Sequence, residues 1–149
     1  MDALYGCLWA NGRELLLDAS SDDFYGSDHY GEPILGGRYV AWVYTTEDIS
    51  CKADCPPNYD ATTEYVNVYD LKKARGKVTT SDPAFDSLRL NSSGDAAWLT
   101  LTGGGNLAVN AWKGAQSRVL DTGPITRFRL RGPKLSWVNG DVQHAVTLR

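Results

Sequence analysis

Histidine and cysteine, the most versatile acids, bases, nucleophiles and metal ligands, are sparse along this 149-residue chain, which has two and three of them. Asp18 to Glu32, "DASSDDFYGSDHYGE", gathers Asp18, Asp22, Asp23, Asp28 and Glu32 with no Lys or Arg. Asp22, Asp23 and Asp28 are of the type that collects on Ca²⁺, but the stretch lacks the ligand spacing and central Gly of an EF-hand loop. It is expected to be a solvated loop. His29 lies among these carboxylates, where an imidazole can work as general acid or base. A lone His among polar loop residues reads first as an exposed side chain. His144, in "VQHAV", falls by strand alternation on the face opposite Gln143 and Ala145.

Cys51 and Cys55 flank "KAD" just before Pro56-Pro57, a spacing at which a disulfide can pin a loop, and Cys7 is a third candidate that can pair with either. A zinc site is disfavoured, because structural zinc wants four ligands in paired spacings and the two histidines are remote. Cysteine usage of this kind points to an oxidising compartment, hence an extracytoplasmic or secreted setting. No basic segment followed by an apolar one opens the chain, so no signal peptide is read, and no apolar run is long enough for a membrane span.

Nucleophile motifs are wanting. Ser92-Ser93-Gly94 lacks the flanking glycines and strand-to-helix context of a nucleophile elbow. Gly103 to Asn106, "GGGN", joins two apolar runs and reads as a hairpin turn, not as a phosphate loop leading into a helix. Asn91-Ser92-Ser93 fits the N-glycosylation pattern. No carboxylate pair is singled out for glycosidase chemistry, so no catalytic residue, metal or cofactor is assigned. A net charge of −3 with mixed signs gives no electrostatic reason to expect nucleic acid as partner.

Helical periodicity is absent. What recurs is the run of five to eight residues rich in Val, Leu, Tyr, Trp and Thr, ended by Gly, Asn, Asp or Pro. Such runs include "LYGCLWA", "ELLLDA", "EPIL", "RYVAWVYTT", "EYVNVYDL", "AAWLTLT", "LAVNAW", "ITRFRL" and "KLSWVN". The chain is therefore all-β, built of consecutive antiparallel hairpins. Three of its segments align: "GGRYVAWV", "SSGDAAWL" and "RGPKLSWV", each with Gly ahead of a small-residue–Trp pair. The tryptophans are Trp42, Trp98 and Trp137; the last two are 39 residues apart and the first two 56. Glu47 to Thr63 reads as a loop inserted between two strands, and removing it restores a common period. "CLWANGRELLLDAS" also matches "NAWKGAQSRVLDTG", with Trp9, Leu17 and Asp18 lying 103 residues before Trp112, Leu120 and Asp121.

A hairpin-by-hairpin repeat of about 40 residues with four strands is the pattern of a β-propeller blade. "LRLNSSGDAAWLTLT" resembles the strand–turn–strand unit of TolB-like and WD-repeat-like propellers, with Asn91, Ser92, Ser93 and Gly94 in the turn and Trp98 in the aromatic position. "YVNVYDL" is similar to the third strand of such blades. The resemblance implies fold and brings no catalytic residues.

The expectation is a single all-β domain, residues 1–149, of four-stranded antiparallel blades, with a β-sandwich as alternative. It divides into a partial blade 1–20, a blade 32–80 carrying the inserted loop 47–63, a blade 85–121 and a partial blade 125–149. That is about three blades' worth, fewer than propellers have, so a homo-oligomer completing the ring is one solution. "ELLLDA" is placed to supply the strand missing from the C-terminal unit. The function expected is a non-enzymatic binding or assembly module presenting loops to a protein or glycan partner. Tyr44, Tyr59, Asp54 and Asn58, in or beside the inserted loop, are the candidate binding residues, since loop aromatics with polar neighbours form shallow sites. The alternatives are a propeller-type hydrolase using loop Asp and His residues near the axis, and a purely structural oligomeric subunit.

Overall fold

The computed structural model describes residues 3–8, 13–19, 26–48, 62–84, 87–113 and 116–148. The chain is all-β, and its described strands form four antiparallel sheets in chain order. The first is the hairpin β1 (Ala3–Leu8) and β2 (Arg13–Ala19). The second holds β3 (Gly26–Tyr30), β4 (Ile34–Gly36), β5 (Tyr39–Asp48), β6 (Thr62–Asp70) and β7 (Arg75–Thr80). The third runs β8 (Arg89–Leu90), β9 (Ala96–Leu101), β10 (Leu107–Lys113) and β11 (Gln116–Gly123). The fourth is β12 (Ile125–Arg131), β13 (Lys134–Asn139) and β14 (Val142–Thr147). A 3₁₀ turn at Gly103–Gly105 joins β9 to β10. No helix among the described residues is long and apolar enough to cross a membrane.

Each sheet packs face to face on the next, and the Ala–Trp alternation explains how. Successive strand residues point to opposite faces, so Trp42 and Ala41 serve different interfaces. Val40 and Trp42 pack with Leu71 against Leu4, Leu15 and Leu17 of the first sheet. Ala41 faces the other way and shares a cluster with Trp98 and Trp112 of the third sheet. One step on, Ala97 shares a cluster with Trp137, Leu135 and Ile125 of the fourth. Every Trp of this series thus points back to the preceding sheet, and the small residue before it makes room for the Trp that follows. Trp98 and Ala97 are 1% and 0% exposed, so both halves of the arrangement are fully buried.

The indole nitrogens are caught by the preceding sheet. Trp98 Nε1 donates to Ser81 Oγ at 2.7 Å, and Trp137 Nε1 donates to Asp121 Oδ2 at 2.6 Å. Asn139 Nδ2 donates to the other Asp121 oxygen at 3.0 Å. The Trp137 hydrogen bond, above all, holds the Asp121 carboxyl below its usual range. The stack extends to the turns. A Cβ at Gly36 would run into the Asn91 carbonyl, and Asn91 Nδ2 donates to the Gly132 carbonyl at 2.6 Å. The turns ahead of β5, β9 and β13 therefore touch in chain order. Asn91 Oδ1 accepts from the Ser93 and Asp95 amides, and Gly94 takes φ +83° to close this turn. Because the Asn91 amide is buried and committed in this way, the N-glycosylation pattern it heads is not presented to solvent.

Four expectations need correction. Residues 26–30 of the acidic stretch are strand β3, not loop, because β5 is ten residues long and β4 covers only its first part. Pairing with Thr45 and Thr46 outweighs the weak strand preference of Gly and Asp. β2 pairs with β1 and does not complete the C-terminal unit; among the described strands β14 has no second partner. The N-terminal match holds on β2 and β11 at a spacing of 103, each with a register irregularity skipping Leu17 or Leu120. On the first strands, however, Cys7 opposite Glu14 takes the place of Trp112 opposite Ser117, because the β1–β2 connection is longer. Trp9 itself lies outside the described residues. Finally, Cys7 is an exposed free thiol on β1, so it forms no disulfide.

Filling a small-residue position should break the stack locally. Ala97→Leu is expected to destabilise the protein by about 1–3 kcal/mol in urea denaturation, as overpacking does. Ala145→Leu, on an exposed position of β14, should stay within about 0.5 kcal/mol of the parent.

Candidate functional site

Where the chain crosses from β7 to β8 it opens a cleft of about 650 Å³ between the second and third sheets. One wall is β5 and β6, giving Val43, Thr45 and Glu64; Thr45 and Glu64 are cross-strand partners. The other wall is the crossing segment, with Pro83, Ala84, Ser87, Leu88 and Arg89. This segment is pinned to β9. The Ala84 amide donates to the Leu99 carbonyl at 2.7 Å, and Ser87 Oγ accepts from the Leu99 amide at 3.0 Å and donates to its carbonyl at 3.2 Å. Pro83, lacking an amide hydrogen, sits at an isolated bridge to Thr100. A wall anchored so closely is preformed, which lowers the ordering cost of binding.

The cleft mixes apolar walls (Ile34, Val43, Leu88) with polar groups at Thr45, Glu64 and Arg89, the make-up of small-molecule and side-chain pockets. Burial pushes the Glu64 carboxyl up, and the nearby Asp82 carboxyl, through its charge and a hydrogen bond, adds to the effect; the Thr45 hydroxyl opposes it. A carboxyl that keeps its proton more readily can donate a hydrogen bond to a ligand oxygen. Perturbed carboxyls in clefts mark functional sites more often than chance.

The residues singled out by sequence fall elsewhere. Tyr44 stands in a cross-strand row with Tyr30 and Tyr65 on β3, β5 and β6. Its ring lies 6.1 Å from that of Tyr65, and it packs on the Val40–Trp42–Leu71 cluster. Its chain neighbours Val43 and Thr45, on the opposite face, are the ones that line the cleft. Tyr59, Asp54, Asn58, Cys51, Cys55, Asp22 and Asp23 lie outside the described residues. His29 is exposed on β3 opposite Thr45. His144 stacks on Trp137, ring centroids 5.6 Å apart at 8°, with Nε2 3.9 Å from Asp121 Oδ2. It belongs to the packing of the fourth sheet.

Glu64, Ser87 and Arg89 had no signature in the sequence. The cleft draws on segments near 31–34, 43–45, 64 and 83–89, and only the fold brings these together. Neither the family models, nor the curated proteins, nor the solved structures give a match to the chain.

Glu64 carries a pH signature with a definite sign. Its folded pKa lies above the ordinary glutamate value of 4.5, so its neutral form is favoured by folding. The stability this confers is complete below that value and is lost as pH rises through the raised folded pKa. Glu64→Gln is expected to be more stable than the parent at pH 7, with the gap closing towards pH about 4, in urea denaturations across that range.

Proposed function

We propose that the chain is a non-enzymatic binding or assembly module of propeller type, in which the four sheets are successive blades and the cleft beside Glu64 receives a protein or glycan group. The observation that carries the reading is the repeated seating of a Trp on the small residue of the preceding sheet. It supports a stack of like units, whereas a two-layer sandwich has no need of one rule acting at successive interfaces. The contacts between turns at Gly36, Asn91 and Gly132 support a common inner end for those units. The cleft lies where the chain leaves the repeat, which is where a scaffold of this kind carries recognition. Its Glu64 carboxyl, Arg89 and apolar walls suit an oxygen-bearing side chain or a sugar.

The hydrolase alternative gains one observation, the Glu64–Asp82 carboxyl pair, in place of the loop Asp and His residues. Ala84→Trp, which fills the cleft, is expected to abolish binding to a panel of immobilised oligosaccharides and peptides, as read by surface plasmon resonance. Retained binding would remove the cleft from the reading. Turnover of ester or glycoside substrates that disappears with Glu64→Gln would establish the hydrolase instead. Sedimentation at several concentrations completes the test: a purely structural subunit must self-associate, and a binding module need not.

A further inference from the structure

The outer face of the fourth sheet, turned away from the third, is basic. β12 places Arg127, Arg129 and Arg131 there and β13 adds Lys134, all exposed. Between Asp121 and Asp141 the chain has no carboxylate, and none of the four has an ion-pair partner among the described residues. Arg131 and Lys134 stand directly opposite each other across the ladder, a like-charge pairing that works against the sheet. Alternation puts Arg127 on this face with Arg129 and Arg131, and Ile125 would follow them. A bulge between Thr126 and Arg129, with Arg127 at φ +51°, turns Ile125 back into the core beside Phe128. A non-glycine residue at positive φ in a bulge is a local cost retained for what it positions.

The three arginines frame a trough. Arg127, Arg129, Ser136, Trp137, Val138 and Gln143 line a hollow of about 280 Å³, with Trp137 only 5% exposed. A second hollow of about 210 Å³, between Arg129, Arg131 and Lys134, shares Arg129, Ser136 and Gln143 with the first. Its floor is low because Ser136 occupies the small-residue position that Ala41 and Ala97 hold in the earlier sheets. Arg129 and Arg131, two residues apart on a strand, are spaced by about 6.7 Å, which is also the spacing of alternate side chains on an extended peptide. The guanidinium fork fits a carboxylate with two hydrogen bonds.

We propose that this face binds an extended acidic segment of a partner protein, with carboxylates at alternate positions lying over Arg127, Arg129 and Arg131. Two other occupants fit less well. Single-stranded nucleic acid wants exposed aromatic rings to stack on, and the rings of this sheet, Phe128 and Trp137, face the core. A second copy of this chain lacks the ligand, because nowhere in its sequence are two carboxylates two residues apart.

The inference rests on the binding-module reading but not on the cleft, and charge reversal on the fourth sheet leaves the Glu64 cleft intact. Failure of the parent protein to prefer the acidic peptide, with cleft binding retained, removes this proposal alone. The test titrates the protein at low and physiological salt with a peptide alternating Glu and Thr, and with one of the same composition whose Glu residues are contiguous. The alternating peptide is expected to bind about tenfold tighter, the summed effect of a few exposed ion pairs, and to weaken with salt. Arg129→Glu with Arg131→Glu should remove that advantage. Lys134→Glu should weaken peptide binding while raising the urea midpoint, because it turns the repulsive pair with Arg131 into an attractive one; loss of binding in a more stable protein is not unfolding. Equal affinity for the two peptides, or no effect of the reversals, overturns the proposal. So does tighter binding of an oligothymidylate of equal charge, or self-association that Arg129→Glu with Arg131→Glu abolishes.

Discussion

A Trp that projects from the middle of a sheet needs a flat place to lie, and for Trp98 and Trp137 that place is a small residue of the preceding sheet. Trp98 lies in the cluster that contains Ala41, and Trp137 in the one that contains Ala97. Because side chains alternate across a strand, the residue just before each Trp looks forward to the next sheet while the Trp looks back. One dipeptide therefore serves two interfaces, and the stack can be extended by repeating it. Interiors pack as tightly as organic crystals, so the rule tolerates little variation: Ala41, Ala97 and Ala111 are all 0% exposed. Gly6 extends the same economy to the first interface, where a Cβ would collide with Leu71 and Leu17.

At Trp137 a bulge supplies the hydrogen-bond partner that alternation alone would not. On β11 the register slips past Leu120. Leu120 packs into the interface with the fourth sheet, and its neighbour Asp121 reaches the same side to accept from Trp137. A regular strand would have sent one of the two the other way. Trp112 shows the cost of having no such device: its Nε1 is buried with no hydrogen-bond partner, and Lys77 sits over its ring at 4.8 Å instead. Burial lowers the Lys77 pKa, which accords with a cation held against an indole face and away from water.

Much of this architecture was legible in the sequence because it depends on local pattern. Alternating runs ended by Gly, Asn or Pro mark strands directly, and the small-residue–Trp pairs at 42, 98 and 137 report the stacking rule itself. β3 was not legible: "GSDHY" has poor strand formers, and it is a strand because β5 outruns β4. The cleft was not legible either, since Glu64 looks like any polar residue of an alternating strand until the crossing segment closes over it. The arginine row could be read as the solvent side of "ITRFRL". The bulge that turns Ile125 from that row into the core could not, because strict alternation would have left Ile125 on the arginine face.

The outer faces of the first and fourth sheets differ in chemistry. The fourth sheet turns Arg129 and Arg131, beside Ser136, to solvent. On the first sheet Tyr5 and Leu16, cross-strand partners, are 60% and 58% exposed, with Cys7 and Glu14 next along the ladder. Tyr5 and Cys7 hold the ladder places that Asn110 and Trp112 occupy on β10, where they are buried against the preceding sheet. A hairpin without inner strands exposes those places by construction. The stack is thus polar in direction as well as in chemistry. Its fourth sheet presents arginines on the outer face, and its first sheet presents Tyr5 and Leu16.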